Sequence, residues 1–188
     1  IDETALPGVV ERYRQSQLAA AQIVAAGYEA IGIDHFALPG DGLAVAARAG
    51  RLHRNFQGYT TDEAPALLGL GASAISSLPQ GYVQNVTATG EYLRGVAERG
   101  VAVARGFAFG DEDRLRGWVI ERLMCDFAVP VAELSARFGA AAAPVLQEMR
   151  YSAMLDGDGL VDFDGAQFTV TARGRAFVRS IAAAFDSY

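Results

Sequence analysis

Between Arg51 and Thr61 the chain reads Arg-Leu-His-Arg-Asn-Phe-Gln-Gly-Tyr-Thr-Thr, with Gly32-Ile-Asp-His-Phe-Ala-Leu38 ahead of it and Gly69-Leu-Gly-Ala-Ser-Ala-Ile-Ser76 behind. Guanidinium, imidazole and amide groups cost free energy in a fold unless each finds a partner, so a stretch this rich in them must sit in a built environment. Both histidines of the chain, His35 and His53, fall in this region, and the Gln57 amide lies between an aromatic ring and a glycine. The pattern is that of a binding segment which the rest of the fold has to support.

Composition narrows what the segment binds. With 51% hydrophobic and 20% charged residues, a chain of 188 residues buries one good core or two small ones and reads as a soluble globular protein. A net charge of −6 argues against phosphate neutralisation, and so against nucleic acid as the main partner. All 16 basic residues are arginine, which removes any lysine-based Schiff base or phosphate-loop chemistry. Apolar runs such as Ala140 to Leu146 fall far short of the roughly 20 residues of a membrane span, and no signal-peptide pattern opens the sequence. The single cysteine, Cys125, forms no internal disulfide, which points to a reducing compartment, the cytoplasm; within its apolar helical run it reads as a buried small hydrophobe. The chain opens on Ile1, and the expectation is of a piece of a longer protein.

In order along the chain, Val10, Tyr13, Leu18, Ala21, Val24 and Ala25 form one stripe of a helix from Val9 to Ala26, stopped by Gly27. Tyr28 to Leu38 then reads as one buried strand closed by Pro39-Gly40, making an α/β unit with Asp34, His35 and Phe36 at the strand's carboxyl end, where ligand groups collect. Asp41 caps a short helix ended by Gly50. The small residues from Gly69 to Ala74 permit a close backbone approach, either to a ligand at the main chain of Ile75 or between packed elements.

From Thr87 the character changes. A helix to Arg99, a connector over 100–109, and a helix opened by Asp111-Glu112-Asp113 follow, the last with apolar residues on two opposite faces so that it lies between layers. Pro130 opens another helix, a second runs from about Ala143 to Leu155, Asp164-Gly165 marks the apex of a hairpin, and Thr171 caps a closing helix carrying Phe177, Ile181 and Phe185. This is a winged-helix-like arrangement, but Gln147, Glu148 and Arg150 on its second helix are not a basic DNA-reading set. The order of elements predicts an α/β fold: the terminal part of an incomplete barrel in residues 1–86, then a mostly helical domain in 87–188.

Gly27-Tyr28, Ile31-Gly-Ile-Asp-His-Phe-Ala37, Gly50 to Thr61, Gly69-x-Gly71-x-Ser73-Ala-Ile-Ser76 and Gly81-Tyr82-x-Gln84-Asn85 closely resemble the oxygen-independent coproporphyrinogen III oxidases of the radical S-adenosylmethionine superfamily. Leu123-Met-Cys125 with Phe127, and Thr171-x-x-Gly174-Arg175 through Phe185-Asp186, resemble the same family's C-terminal region. The family's Cys-x3-Cys-x2-Cys iron-sulfur motif is absent, since one cysteine cannot hold a 4Fe-4S cluster.

The resemblance implies the back part of an enzyme that uses S-adenosyl-L-methionine and a 4Fe-4S cluster to convert two propionates of coproporphyrinogen III to vinyls, with loss of carbon dioxide, in porphyrin and heme biosynthesis. It implies S-adenosylmethionine contacts at Phe56, Gln57 and Ile75, the last through its main chain, and no catalytic or metal-ligating residue within the segment. Arg51 and Arg54 suit substrate carboxylates as planar forks, or else tie the loop to its own acids, and His35 joins them as a substrate candidate. The implied partners are the substrate and the N-terminal barrel of the same chain; alone, the segment is expected to be inactive. Two alternatives stay open: a heme-binding or heme-chaperone relative, a group that lacks the intact His53 to Tyr59 run, and a non-catalytic winged-helix interaction module.

Overall fold

Glycines with positive φ punctuate the chain where it reverses, and the elements between them are short. The computed structural model describes residues 6–188. The elements run α1 (Val9–Ala25), β1 (Glu29–Ile31), β2 (His35–Ala37), α2 (Gly42–Arg48), β3 (His53–Asn55), β4 (Gly58–Thr60), β5 (Ile75–Leu78) and β6 (Gly81–Asn85). They continue with α3 (Thr89–Arg99), β7 (Val103–Ala108), α4 (Asp111–Asp126), β8 (Ala128–Pro130), α5 (Val131–Phe138), α6 (Ala143–Leu155), β9 (Val161–Phe163), β10 (Gln167–Val170) and α7 (Val178–Ala183). Helices and strands are mixed throughout.

The strands form four small antiparallel sheets: β1-β2, β3-β4, β5-β6-β7 and β8-β10-β9. No closed barrel and no parallel pair occurs among the described residues. The single buried strand expected over 28–38 is instead a hairpin. Gly32, at φ +57, turns the chain back so that Ile31 faces His35 across the register, which removes the expected strand end bearing Asp34, His35 and Phe36. A β-rich run hid the turn, because only a glycine adopts that backbone without a Cβ penalty. The expected connector over 100–109 contains β7, which lies beyond position 86 yet completes the sheet of β5 and β6. Every residue of β7 is exposed, so it lacks the alternation that marks a strand in sequence.

Two apolar clusters share α4. Leu115, Val119 and Leu123 enter the larger one with Leu134, Met149, Phe168, Val178 and Phe185, while Cys125 joins Ile31, Ala44, Leu52 and Tyr59 in the smaller. The expectation that α4 is covered on both faces is met. The hairpin apex at Asp164-Gly165 forms as expected: the Asp164 carboxylate accepts from the N–H groups of Ala166 and Gln167, and Gly165 takes φ +92. After Thr171 the chain first makes a 3-10 turn over Gly174–Phe177, which shifts the helical phase. Val178, Ala182 and Phe185 are buried as a result, and Phe177 is exposed instead of sharing their stripe. The helix α1 forms as expected, but none of its residues is buried, and Val10, Tyr13, Leu18 and Val24 stand exposed along it. No helix is long and apolar enough to cross a membrane among the described residues.

Candidate functional site: an aromatic cavity under a clamped hairpin turn

The strands β3 and β4 are joined by a two-residue loop, Phe56-Gln57, with Asn55 opposite Gly58 in the register. The Asn55 side chain accepts from the Gln57 N–H at 2.8 Å, which shapes the turn locally. Three-residue strands are too short to hold a hairpin alone, so its base is fixed from outside. Tyr59 is buried in β4; its hydroxyl donates to the Met124 carbonyl at 2.8 Å and accepts from the Ile33 N–H at 3.1 Å. Burial raises the phenol's pKa above its ordinary value, with the Ile33 bond opposing, so the phenol stays protonated. On β3, His53 Nδ1 lies 3.1 Å from Glu121 Oε1, the Arg54 N–H donates to the same oxygen at 3.4 Å, and Arg122 Nη2 donates to the Leu52 carbonyl at 3.1 Å.

Below this turn lies a cavity of about 1230 Å³ between β3, the β5-β6-β7 sheet and α4. Its wall carries an edge-to-face series of rings: Phe56 against Tyr82, Tyr82 against Phe109, and Phe107 against Tyr188, with centroids 5.2, 4.7 and 5.2 Å apart. Arg54, Arg114, Arg116 and Arg137 also line it. Arg116 is committed: its guanidinium bonds Glu148 and Glu112, which hold it charged. Arg54 and Arg137 instead lie over the rings of Tyr59 and Phe138. Asp62, Glu63, Asp113, Glu121 and Asp186 line it too, so its border carries both signs, and the aromatic wall is what suits a flat ligand.

The residues singled out from the sequence divide here. Phe56, 53% exposed, and Arg54 line the cavity; Gln57, Ile75, Arg51 and His35 do not. Gln57 is exposed at the same turn as Phe56. Ile75 opens the edge strand β5. Ser77 exchanges both main-chain bonds with Leu67 on that edge, at 2.9 and 2.8 Å, and strand alternation turns the N–H and C=O of Ile75, two residues earlier, to the same side. Gly69 is drawn against that edge, where a Cβ would stand 2.6 Å from the Ile75 carbonyl oxygen. The Asn85 amide donates to the carbonyls of Gly69 and Gly71, at 3.1 and 2.9 Å, so the glycine loop also packs tightly on its own sheet. His35 is spent on structure: Nδ1 lies 2.7 Å from Asp34 Oδ1, and the ring meets Tyr59 edge-on at 5.2 Å. The Arg51 N–H bonds the Ala46 carbonyl at 2.9 Å, behind α2.

Sequence reasoning missed Tyr82, Phe107, Phe109 and the α4 pair Glu121-Arg122. Tyr82 belonged to a recognised motif, whereas the other four gave no local signal, because their meaning lies in contacts with residues up to 70 positions away. Burial pushes the Cys125 thiol up to about 12, in keeping with the inert role read from sequence. Among the described residues there is no cluster of three or more His, Cys, Asp or Glu side chains able to hold a metal ion. With a single cysteine, the chain does not supply the thiolates of a 4Fe-4S cluster.

A small sheet, a clamped hairpin and a helical module surround one cavity, and within the helical module residues 111–177 match the family of the HemN C-terminal domain. Over its whole length the chain is similar to oxygen-independent coproporphyrinogen III oxidases. It is 45% identical over 188 residues to that of Cereibacter sphaeroides and 47% identical to that of Paracoccus denitrificans. The solved structure of the Escherichia coli coproporphyrinogen III oxidase HemN, described as a radical SAM enzyme, superposes with a TM-score of 0.92 at 41% identity, covering 100% of this chain and 44% of that one. The resemblance read from the motifs therefore holds along the entire chain, which spans 42% of the length of the Cereibacter and Paracoccus relatives.

Proposed function

We propose that the protein to which this chain belongs is a cytoplasmic radical S-adenosylmethionine oxidoreductase of porphyrin and heme biosynthesis, which decarboxylates two propionates of coproporphyrinogen III. In this reading residues 1–86 bear the cofactor- and substrate-facing loops, while 87–188 form a winged-helix-like module that packs against them. The observation that carries it is the β3–β4 turn, which holds the Phe56 ring and the Gln57 amide outward while both of its strands are anchored.

The residues present fit S-adenosylmethionine. Phe56 offers an exposed ring face to an adenine or a methyl-sulfonium group, Gln57 offers a donor and an acceptor, and Ile75 turns its main-chain groups to the outer edge of β5, which the Leu67–Gly69 segment partly covers. With a reduced cluster, that cofactor supplies the hydrogen-abstracting chemistry. The chain's own task is to orient the cofactor and wall off water, with the rings of Tyr82, Phe107 and Phe109 excluding it and Arg54 meeting a substrate carboxylate. Arg51 stands further from this role, behind α2, and His35 supports the turn through Tyr59.

The cluster and the remaining wall would come from an N-terminal barrel of the same chain. The apolar residues exposed along α1 support this, because a stripe carrying Val10, Tyr13 and Leu18 gains nothing from facing water. The 188 residues alone are then inactive. The test is an anaerobic assay of the full-length protein, with reconstituted cluster and S-adenosylmethionine, for carbon dioxide release from coproporphyrinogen III. No release from a cluster-loaded protein would overturn the reading, and a stoichiometric cluster on the 188-residue chain alone would overturn the division of labour.

A further inference from the structure

A two-residue hairpin loop normally uses a turn with positive φ at its first or at both central residues, since only those match the twist of the strands. Neither Phe56 nor Gln57 has positive φ; Gly58, which closes the turn, has φ +134, and Asn55 opposite it accepts from the Gln57 N–H. Asn first and Gly fourth is a pattern that favours a turn of its own, so the local shape comes from the segment, while the twist mismatch leaves its placement on the fold to whatever holds its base.

The groups that hold the base come from α4. Glu121 Oε1 takes His53 Nδ1 at 3.1 Å and the Arg54 N–H at 3.4 Å, while Arg122 reaches the Leu52 carbonyl at 3.1 Å and Asp126 at 2.7 Å. Arg122 is only 8% exposed, and its Nε has no partner. Burying a guanidinium with an unpaired nitrogen is costly where a methionine or leucine would pack a helix as well, so its value lies in where it holds the Leu52 carbonyl. Three consecutive residues of the β3 entry, Leu52, His53 and Arg54, are thus gripped by two consecutive residues of one helix.

We propose that Glu121 and Arg122 are positioning residues for the Asn55–Gly58 turn: Asn55 and Gly58 shape it locally, and the C-terminal domain, through α4, sets where it stands and how firmly Phe56 and Gln57 are presented. What the turn holds rests on the S-adenosylmethionine reading above; that α4 sets its place does not. The positioning makes helix and turn one unit, so a shift of α4 is transmitted to the cofactor-facing residues.

The experiment uses the full-length protein with its cluster reconstituted. It combines amide hydrogen exchange resolved over Arg54–Tyr59 with equilibrium S-adenosylmethionine binding, in wild type, Glu121→Ala, Glu121→Gln and Glu112→Ala. Glu112 lies on the same helix and pairs with Arg116, away from the hairpin. In Glu121→Ala, exchange over Arg54–Tyr59 is expected to quicken about tenfold and the S-adenosylmethionine Kd to rise by a similar factor. Glu121→Gln retains an acceptor oxygen and should restore both, with Glu112→Ala matching wild type. Unchanged exchange at the turn in Glu121→Ala, or acceleration spread over the whole chain, overturns the positioning role. If the turn loosens locally but wild type binds no S-adenosylmethionine, the functional reading fails and the positioning stands.

Discussion

The Tyr59 hydroxyl stands 2.8 Å from the Met124 carbonyl, 65 residues further along the chain, and accepts from the Ile33 N–H on its other side. One phenol thus ties the β1–β2 turn, the β3–β4 hairpin and the last turn of α4 into a single joint. The joint is why the candidate site is described by three segments that share no sequence neighbourhood.

Removing that hydroxyl tests the joint directly. Tyr59→Phe leaves the buried Met124 carbonyl and the Ile33 N–H without their partner, at a cost of about 1–3 kcal/mol. Urea unfolding should show the midpoint falling at unchanged m-value. An unaltered midpoint would mean that the three segments are held by apolar packing alone.

Gly32 is a second point where the fold has no slack. A Cβ there would lie 2.0 Å from the Tyr59 ring, and the backbone is at φ +57. Gly32→Ala combines left-handed strain with overpacking against a buried ring, and a loss of about 2–4 kcal/mol is expected. By contrast, a Cβ at Gly27 meets nothing within 4 Å, though its φ of +94 still penalises it. Gly27→Ala should therefore cost less than Gly32→Ala in the same unfolding measurement.

The Cys125 thiol is held up to about 12 by burial first and by Glu121 second, opposed by Arg122. At pH 8 it is protonated and shielded, so Ellman's reagent should find no reactive thiol in the native protein and one per chain in denaturant. Fast native labelling would show that the smaller apolar cluster opens readily.

Asp156 gives a pH signature. Its carboxylate accepts from the N–H groups of Asp158, Leu160 and Val161, with the Val161 bond the largest cause of a pKa below the ordinary 3.8. Because the folded value is the lower one, the stabilisation is fully present above the unfolded pKa and is lost as pH falls through the folded pKa. Asp156→Asn should lower the melting temperature at neutral pH, and the gap to wild type should close on acidification below pH 3.8. A gap independent of pH would assign the effect to something other than the carboxylate's charge.

What the sequence by itself determined is whatever short-range periodicity and capping can encode. The helix α1, the Asp41 cap of α2, the doubly buried α4, the α5–α6 pair and the Asp164-Gly165 hairpin all follow from local pattern. So does the density of polar and aromatic residues around Phe56 and Gln57, which marks that segment in the sequence alone. Only the tertiary structure decided that 28–38 folds back on Gly32, that the exposed strand β7 completes a sheet, and that the cavity wall includes Phe107, Phe109 and Glu121. The physical reason is reach: a cap or an amphipathic stripe is settled within a few residues, whereas the grip of Arg122 on Leu52 and the partner of an exposed strand depend on which distant surfaces meet.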